Sequence, residues 1–282
     1  MKPSKCGRPK KTVLDSLKTL VWYEYVSEQV FLYCMKRNIQ LTDNELKNFR
    51  AGNKRLDIFF DLEGSNSWYK YSLAKISPTL ESLELVDHKI SGASIYFQHP
   101  IWNFLKDVPR GSLDVNQFYS RLNHKTREIL EKEEVTCKFD FSYTDTNDYQ
   151  KFENLLEFYS CILYQYYKAK FEMNNTEAEK CYFYFSRNTN HIIDEFGATG
   201  YFFLKILKLH LKLPSNALTH QFSIESNLNN QNLLKNMLTA SKKFSKRYEK
   251  LEKDINDFQL DGAQYKNDHL YIVIENVETL NK

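Results

Sequence analysis

Apolar residues recur at helical spacing along most of this 282-residue chain, and no segment sustains the alternation of apolar and polar residues that marks a half-buried strand. Val13, Leu17, Leu20 and Tyr25 begin the first such series. Only 8 glycines and 6 prolines occur, fewer than glycine-dependent nucleotide-binding folds and barrels use. The pattern therefore predicts an all-α or nearly all-α, multi-helix protein, with residues 271–274 as a short strand or terminal coil.

Local signals place most helix boundaries. A long helix is predicted over residues 13–37, and Thr42 with Glu45 forms a capping-box pattern that opens the next helix. Pro78 stands at an expected first helical position, so a further helix begins there. Several short helices joined by tight turns thus fill residues 42–90. The remaining predicted helices cover residues 98–105, 113–130, 149–171, 177–194, 198–213 and 227–258.

The cysteines and the apolar runs bear on the compartment. Five cysteines lie at wide, irregular spacings with no C-x-x-C pair, which is typical of free thiols in a reducing environment. The basic N-terminus lacks the apolar stretch of a signal peptide, and the longest apolar runs are too short to cross a bilayer. We therefore expect a cytoplasmic protein without a membrane partner.

Positive charge is concentrated near the N-terminus. Residues 1–75 contain 14 Lys or Arg against 8 Asp or Glu, whereas the remaining residues contain 25 against 28. This asymmetry predicts an anionic partner for the N-terminal part. We expect a disordered basic arm at residues 1–12, a nucleic-acid-binding helical domain at 13–107 and a helical C-terminal domain at 112–282.

The arm contains Gly7-Arg8-Pro9-Lys10, followed by Lys11. An extended Arg-Pro segment is narrow enough to enter the DNA minor groove, where A·T tracts concentrate negative potential. The segment resembles the core of an AT-hook, although Lys10 stands where that family usually has a second arginine. The resemblance implies minor-groove contact by Arg8, supported by Lys5, Lys10 and Lys11. A basic tail that only increases solubility is the alternative.

A second basic and aromatic cluster follows within residues 42–86. The run Trp68-Tyr69-Lys70-Tyr71, then Lys75 and a Leu-rich helix, is similar to the recognition-helix end of phage-repressor-like helix-turn-helix domains. Gly52 and Gly64 do not stand where that family places its small turn residue. The resemblance implies base readout from the helix containing Lys70, whereas the alternative makes Trp68 and Tyr71 core rings. Phosphate contacts would come from the cations of this cluster, Arg50, Lys54, Arg55, Lys70 and Lys75.

A heptad-like seam is predicted on the C-terminal helix, which also carries many lysines. The seam either packs on its own domain, the usual fate of an amphipathic helix, or pairs with a partner chain or a second copy. Its residues are Met237, Phe244, Tyr248, Leu251, Ile255 and Phe258.

Sequence motifs for catalysis are absent. The chain has no phosphate-binding glycine loop, no nucleophile elbow and no paired Cys/His metal spacing, so we expect no catalytic residue, no metal and no cofactor. The hypothesis is a non-enzymatic nucleic-acid-binding protein, with DNA favoured over RNA as partner. With a basic arm before a repressor-like helical cluster, in a chain rich in Lys, Asn, Tyr and Phe, the protein resembles accessory regulators of bacterial mobile elements and phage-defence loci. The alternative is a helical interaction subunit that docks on an enzyme or ribonucleoprotein.

Overall fold

The computed structural model describes residues 11–107, 114–131 and 148–211, together with 251, 253 and 254. Most of these residues are helical and none of them lies in a strand, so the predicted all-α fold is confirmed for the described part of the chain. The predicted strand at 271–274 falls outside it. The helices are α1 (Val13–Lys36), α2 (Asp43–Asn48), α3 (Asn53–Phe59), α4 (Ser67–Ser72), α5 (Leu80–Lys89), α6 (Ile95–Gln98), α7 (Ile101–Asp107), α8 (Val115–Arg121), α9 (His124–Glu131), α10 (Leu155–Phe171), α11 (Asn175–Arg187) and α12 (Thr189–His210), with a 3-10 helix at Asp148–Lys151.

Two helices organise the packing. Helix α1 contacts α3, α4, α6, α7 and α12, and helix α10 contacts α7, α8, α9, α11 and α12. Because α7 and α12 touch both α1 and α10, one continuous apolar core joins the two groups of helices. The domain division between residues 107 and 112 stays a prediction. Helix α12, from the proposed C-terminal part, nevertheless packs directly on α1.

Side-chain caps explain where the early helices begin. The predicted capping box is confirmed, because the Thr42 backbone N–H donates to Glu45 Oε2 at 2.9 Å and the Glu45 N–H donates to Thr42 Oγ1 at 3.3 Å. The start predicted at Pro78 is wrong by two residues. Thr79 caps α5 by accepting the backbone N–H of Ser82 at 3.2 Å, so Pro78 lies just outside the helix.

Two predicted helices also begin or divide at a cap that the apolar spacing did not reveal. The helix predicted over 113–130 is two helices, because the Asn123 side chain accepts a backbone N–H and starts α9. The helix predicted over 149–171 begins only at residue 155, where Asn154 provides the cap. Asparagine side chains compete with the backbone for hydrogen bonds, and here they interrupt an otherwise continuous helical pattern.

Helix α12 contains a kink at a position where the sequence pattern predicted a break between two helices. The helices predicted over 177–194 and 198–213 correspond to α11 and α12, but the chain changes helix at Asn188. Gly197 then adopts φ 56° and ψ −138° inside α12, a conformation open to glycine and costly for other residues. The kink lies on the helix that packs against α1.

Candidate nucleic-acid interface

Stacked aromatic rings hold α4 against α1, in the region that the sequence predicted to bind nucleic acid. The Trp68 ring stacks on Trp22, with centroids 5.3 Å apart, and on Phe60 at 4.9 Å. Tyr71 meets both indoles edge-on. Trp68 and Tyr71 are only 1% and 5% exposed, so both are core rings, which is the alternative that the sequence left open. Helix α4 therefore presents Tyr69 and Lys70 outward, while its other aromatic residues fix it to α1.

Three of the predicted phosphate contacts remain exposed. Lys54, Lys70 and Lys75 are solvent-exposed, and none of them forms an ion pair within the part of the chain that the structure describes. The Lys75 ammonium lies 5.6 Å from the Tyr69 ring centroid, a cation–π distance. These lysines can therefore meet a phosphate without first breaking an internal charge pair.

Arg55 is held by an internal carboxylate. Its Nε donates to Glu45 Oε1 at 2.6 Å, and a second guanidinium nitrogen donates to Glu45 Oε2 at 3.0 Å. Burial alone would raise the pKa of Glu45, but hydrogen bonds from Arg55, Thr42 and Gly52 lower it to about 2. This bidentate pair fixes α2 to α3, and a phosphate would have to displace Glu45 to reach Arg55.

Arg50 is likewise committed within the protein. It lies 3.8 Å from a Glu24 oxygen and 3.5 Å from a Glu28 oxygen, and it donates to the backbone carbonyl of Glu195 at 2.5 Å. Because Glu24 and Glu28 belong to α1 and Glu195 belongs to α12, this guanidinium joins the two helices. The positive charge of Arg50 therefore stabilises the contact between α1 and α12.

Lys11 ties the start of the described chain to the connection between α4 and α5. Its ammonium donates to the backbone carbonyls of Ala74 at 2.9 Å and Ile76 at 3.2 Å, and also to Thr19 Oγ1 at 3.2 Å. These two carbonyls flank the exposed Lys75. Lys11 is therefore anchored beside the exposed Lys75.

Several predicted site residues lie outside the described residues. They are Lys5, Arg8 and Lys10 of the arm, and Met237, Phe244, Tyr248, Ile255 and Phe258 of the C-terminal seam. The remaining seam residue, Leu251, is helical and only 4% exposed, within the core cluster of its own chain. That burial agrees with the intramolecular alternative at this one position.

A buried polar cluster between α1 and α12 was not identified from the sequence. The Tyr96 hydroxyl donates to Glu195 Oε1 at 3.0 Å and its ring stacks on Tyr25 at 3.8 Å, while Thr199 donates to Glu24 at 3.2 Å. Burial raises the pKa of Glu195 to about 7, although the hydrogen bond from Tyr96 opposes that rise. The signal available in the sequence was Glu24, a glutamate placed within the apolar series of α1.

A second buried pair joins the end of α6 to α10. His99 Nε2 lies 3.1 Å from Glu157 Oε1, and both side chains are almost completely buried. The backbone N–H of Ile101 donates to His99 Nδ1 at 3.2 Å, which fixes the orientation of the imidazole ring. The pair has no exposed face and acts as a link between helices.

One pocket opens beside the exposed face of α4. It lies between α1, α4 and α5, has a volume of about 170 Å³, and is lined by Trp22, Trp68, Tyr71, Glu81 and Ser82 among others. The Tyr71 hydroxyl donates to Ser82 at 3.2 Å, whereas the Nε1 atoms of Trp22 and Trp68 are buried without a hydrogen-bond partner in the described structure. These two indole N–H groups are thus buried and unsatisfied within the described structure.

Within the described ranges, no group of three His, Cys, Asp or Glu side chains is placed to hold a metal ion, and no helix is both long and apolar enough to cross a membrane. Comparison of the chain with known protein families, curated proteins and solved structures gave no match.

Proposed function

We propose that this protein is a non-enzymatic nucleic-acid-binding protein that captures phosphates with its basic N-terminal segment and with the lysines around α4. DNA is the favoured ligand, in keeping with the resemblance of its arm to an AT-hook and of the whole chain to accessory regulators of mobile elements. Phosphate contacts supply most of the affinity in such proteins and make it depend on salt.

The observation that supports the proposal best is the anchoring of Lys11. Its ammonium donates to the carbonyls of Ala74 and Ile76, which flank the exposed Lys75, and residues 1–10 precede Lys11 in the chain. Those ten residues contain Lys2, Lys5, Arg8 and Lys10 and no acid. Because these cations are joined to Lys11 by the chain, we infer that they and Lys75 contact the same nucleic acid.

A salt titration of binding tests this proposal. Each lysine that neutralises a phosphate contributes roughly one unit to the slope of log affinity against log salt. We expect the double variant Lys70→Gln, Lys75→Gln to lose about two units of slope on duplex DNA, and deletion of residues 1–10 to lose more. Lys89→Gln is the matched control, because Lys89 is paired with Asp61 at 2.6 Å.

The deletion should stop at residue 10. Thr12 caps α1 and Lys11 holds the α4–α5 connection, so a deletion through residue 12 would change stability as well as binding. Removal of residues 1–10 should weaken binding and leave the melting temperature nearly unchanged. Unaltered slopes in both the deletion and the double variant would contradict phosphate capture at this surface.

A second function is favoured by exposed apolar residues near the end of α1. Leu32, Met35, Leu46 and Phe49 are 48%, 51%, 45% and 65% exposed. Phe49 also adopts a left-handed conformation with φ 50°, an unusual and costly state for a large side chain. The Phe49 ring meets the Phe31 ring of α1 edge-on, with centroids 5.9 Å apart, so it lies beside the apolar end of α1, and apolar exposure there supports the interaction-subunit alternative.

Sedimentation, which reports whether the protein associates, tests the interaction-subunit alternative. If the surface binds a second chain, Phe49→Asp should abolish association while the melting temperature changes little, because the side chain is mostly exposed. Ile58→Asp is the control, since Ile58 is 51% exposed on α3. A monomeric wild-type protein that also fails to bind any partner through this surface would remove the interaction-subunit alternative.

A further inference from the structure

Helix α12 bends so sharply at Gly197 that its two parts touch each other. A Cβ added to Gly200 would lie 2.1 Å from the backbone carbonyl oxygen of Ile192. In a straight helix, residues eight positions apart are separated by about 12 Å along the axis and do not meet. Gly197, with φ 56° and ψ −138°, therefore divides α12 into a first arm, residues 189–196, and a second arm, residues 198–210.

The two arms differ in how much apolar surface holds them in place. The first arm buries three apolar side chains, Ile192, Ile193 and Phe196. The second arm buries more of them, namely Phe202, Phe203, Leu204, Ile206 and Leu207. Thr199 of the second arm also donates to Glu24 of α1 at 3.2 Å. The first arm is therefore the part of α12 that depends more on polar contacts.

Glu195 makes the polar contacts at the end of the first arm. Its carboxyl group accepts a hydrogen bond from the Tyr96 hydroxyl at 3.0 Å, and its backbone carbonyl accepts one from Arg50 at 2.5 Å. The Phe196 ring meets the Tyr96 ring edge-on, with centroids 5.9 Å apart. Because Glu195 lies two residues before Gly197, these contacts act directly beside the bend.

The groups around the Glu195 side chain carry more negative than positive charge. The Arg50 guanidinium lies 3.5 Å from a Glu28 oxygen and 3.8 Å from a Glu24 oxygen, and it binds Glu195 at the backbone carbonyl. The other titratable groups nearby are Tyr25 of α1, Asp87 of α5, Tyr159 of α10, and His191 and Asp194 of α12 itself. None of these five carries a permanent positive charge. Ionisation of Glu195 therefore adds a third carboxylate beside one guanidinium.

The Glu195 carboxyl group is consequently more stable in its protonated form while the first arm is in place. Burial, together with Glu28, raises its pKa to about 7, against the opposing effects of Tyr96 and Arg50. In a released arm the ionised form is hydrated and lies away from the other carboxylates. From this geometry we propose that ionisation of Glu195 releases the first arm from Tyr96 and Arg50, with Gly197 as the hinge, while the second arm stays packed on α1. This hinge does not depend on nucleic-acid binding.

Hydrogen exchange measured by mass spectrometry tests the hinge, because peptides from the two arms report separately. If Glu195 regains its ordinary pKa of 4.5 in the released arm, the open population rises about 30-fold between about pH 5.5 and about pH 8.5. We expect the protection factors of amides 193–196, which correct for the intrinsic effect of pH on exchange, to fall by that factor. In Glu195→Gln they should fall less than about three-fold, because the glutamine does not ionise. Asp194→Asn is the matched control, since Asp194 is exposed on the same arm, and it should behave as the wild type does.

Low concentrations of urea separate release of one arm from unfolding of the whole protein. Release exposes little surface, so exchange in the first arm at about pH 8.5 should be nearly independent of urea. Exchange in the second arm should accelerate with urea, because it requires a larger unfolding. This comparison uses the wild-type protein alone and needs no variant to fold.

Three results would overturn the inference. Protection of the first arm that is the same at both pH values would show that no release occurs. A fall of about 30-fold in Glu195→Gln as well would assign the pH dependence to another group. Equal acceleration of both arms by urea would show that they unfold together and that Gly197 is not a hinge.

Discussion

Replacing Glu45 with glutamine tests whether internal charge pairs hold the N-terminal helices together. Glu45 is 4% exposed and accepts hydrogen bonds from Arg55, Thr42 and Gly52. Its pKa is about 2 in the folded protein, against an ordinary value of 4.5. Since one pKa unit corresponds to about 1.4 kcal/mol, the ionised carboxylate stabilises the fold by at most about 3 kcal/mol.

We expect Glu45→Gln to lower the free energy of unfolding by about 2 kcal/mol at neutral pH, because glutamine keeps one acceptor but loses the charge that Arg55 requires. The pKa of Glu45 is lower in the folded protein than in the unfolded chain. The stabilisation is therefore complete above pH 4.5 and is lost as the pH falls towards 2. The difference between wild type and variant should shrink over that interval.

Urea unfolding at about pH 7 and about pH 3.5 measures this difference directly. Glu81→Gln serves as the control, because Glu81 is exposed on α5 and forms no ion pair with the described residues. A loss at neutral pH below about 0.5 kcal/mol, the usual range for surface substitutions, would refute the reasoning. So would a loss that is the same at both pH values.

Two further substitutions probe the contact between α1 and α12. Burial raises the pKa of Glu195 to about 7, so the folded protein should lose stability as the pH rises from 4.5 through 7. The Glu195→Gln variant should not show this loss, which we expect to be about 1 to 3 kcal/mol at about pH 8. Thermal melts of both proteins across this pH range measure the difference. Gly200→Ala would place a Cβ 2.1 Å from the backbone carbonyl of Ile192 across the kink, whereas the nearest atom to a Cβ at Gly52 is 3.6 Å away. We expect Gly200→Ala to lower the free energy of unfolding by about 3 kcal/mol and Gly52→Ala to lower it less. Equal melting temperatures of the two variants would show that the kinked helix relaxes around the added methyl group.

The fold class could be predicted from the amino-acid sequence, and so could those helix ends that depend on neighbouring residues. The long helix beginning at Val13 and the capping box of Thr42 and Glu45 were both predictable, because each depends on residues within one or two turns. The asparagine caps at 123 and 154 were equally local, but apolar spacing concealed them. Residue spacing reports which face of a helix is apolar, whereas a cap depends on a single side chain.

Which cations are available to a ligand could be seen only in the folded chain. In the sequence Arg50 and Arg55 are as basic as Lys54, yet both arginines meet carboxylates or carbonyls that folding brings to them, and one partner of Arg50 lies 145 residues away. Lys54, Lys70 and Lys75 form no such ion pair in the described structure. An ion pair depends on distance in space, which spacing along the chain does not report.

The same reason applies to the pocket. From the sequence, Trp68 could be either a nucleic-acid contact or a core ring. Nothing in the sequence indicated that Trp22 would stack on it. Packing of α1 against α4 brings the two indoles together, and α5 then closes one side with Glu81 and Leu85. A cavity is the space that several helices leave between them, so residues 22, 68 and 85 become one site only when the chain is folded.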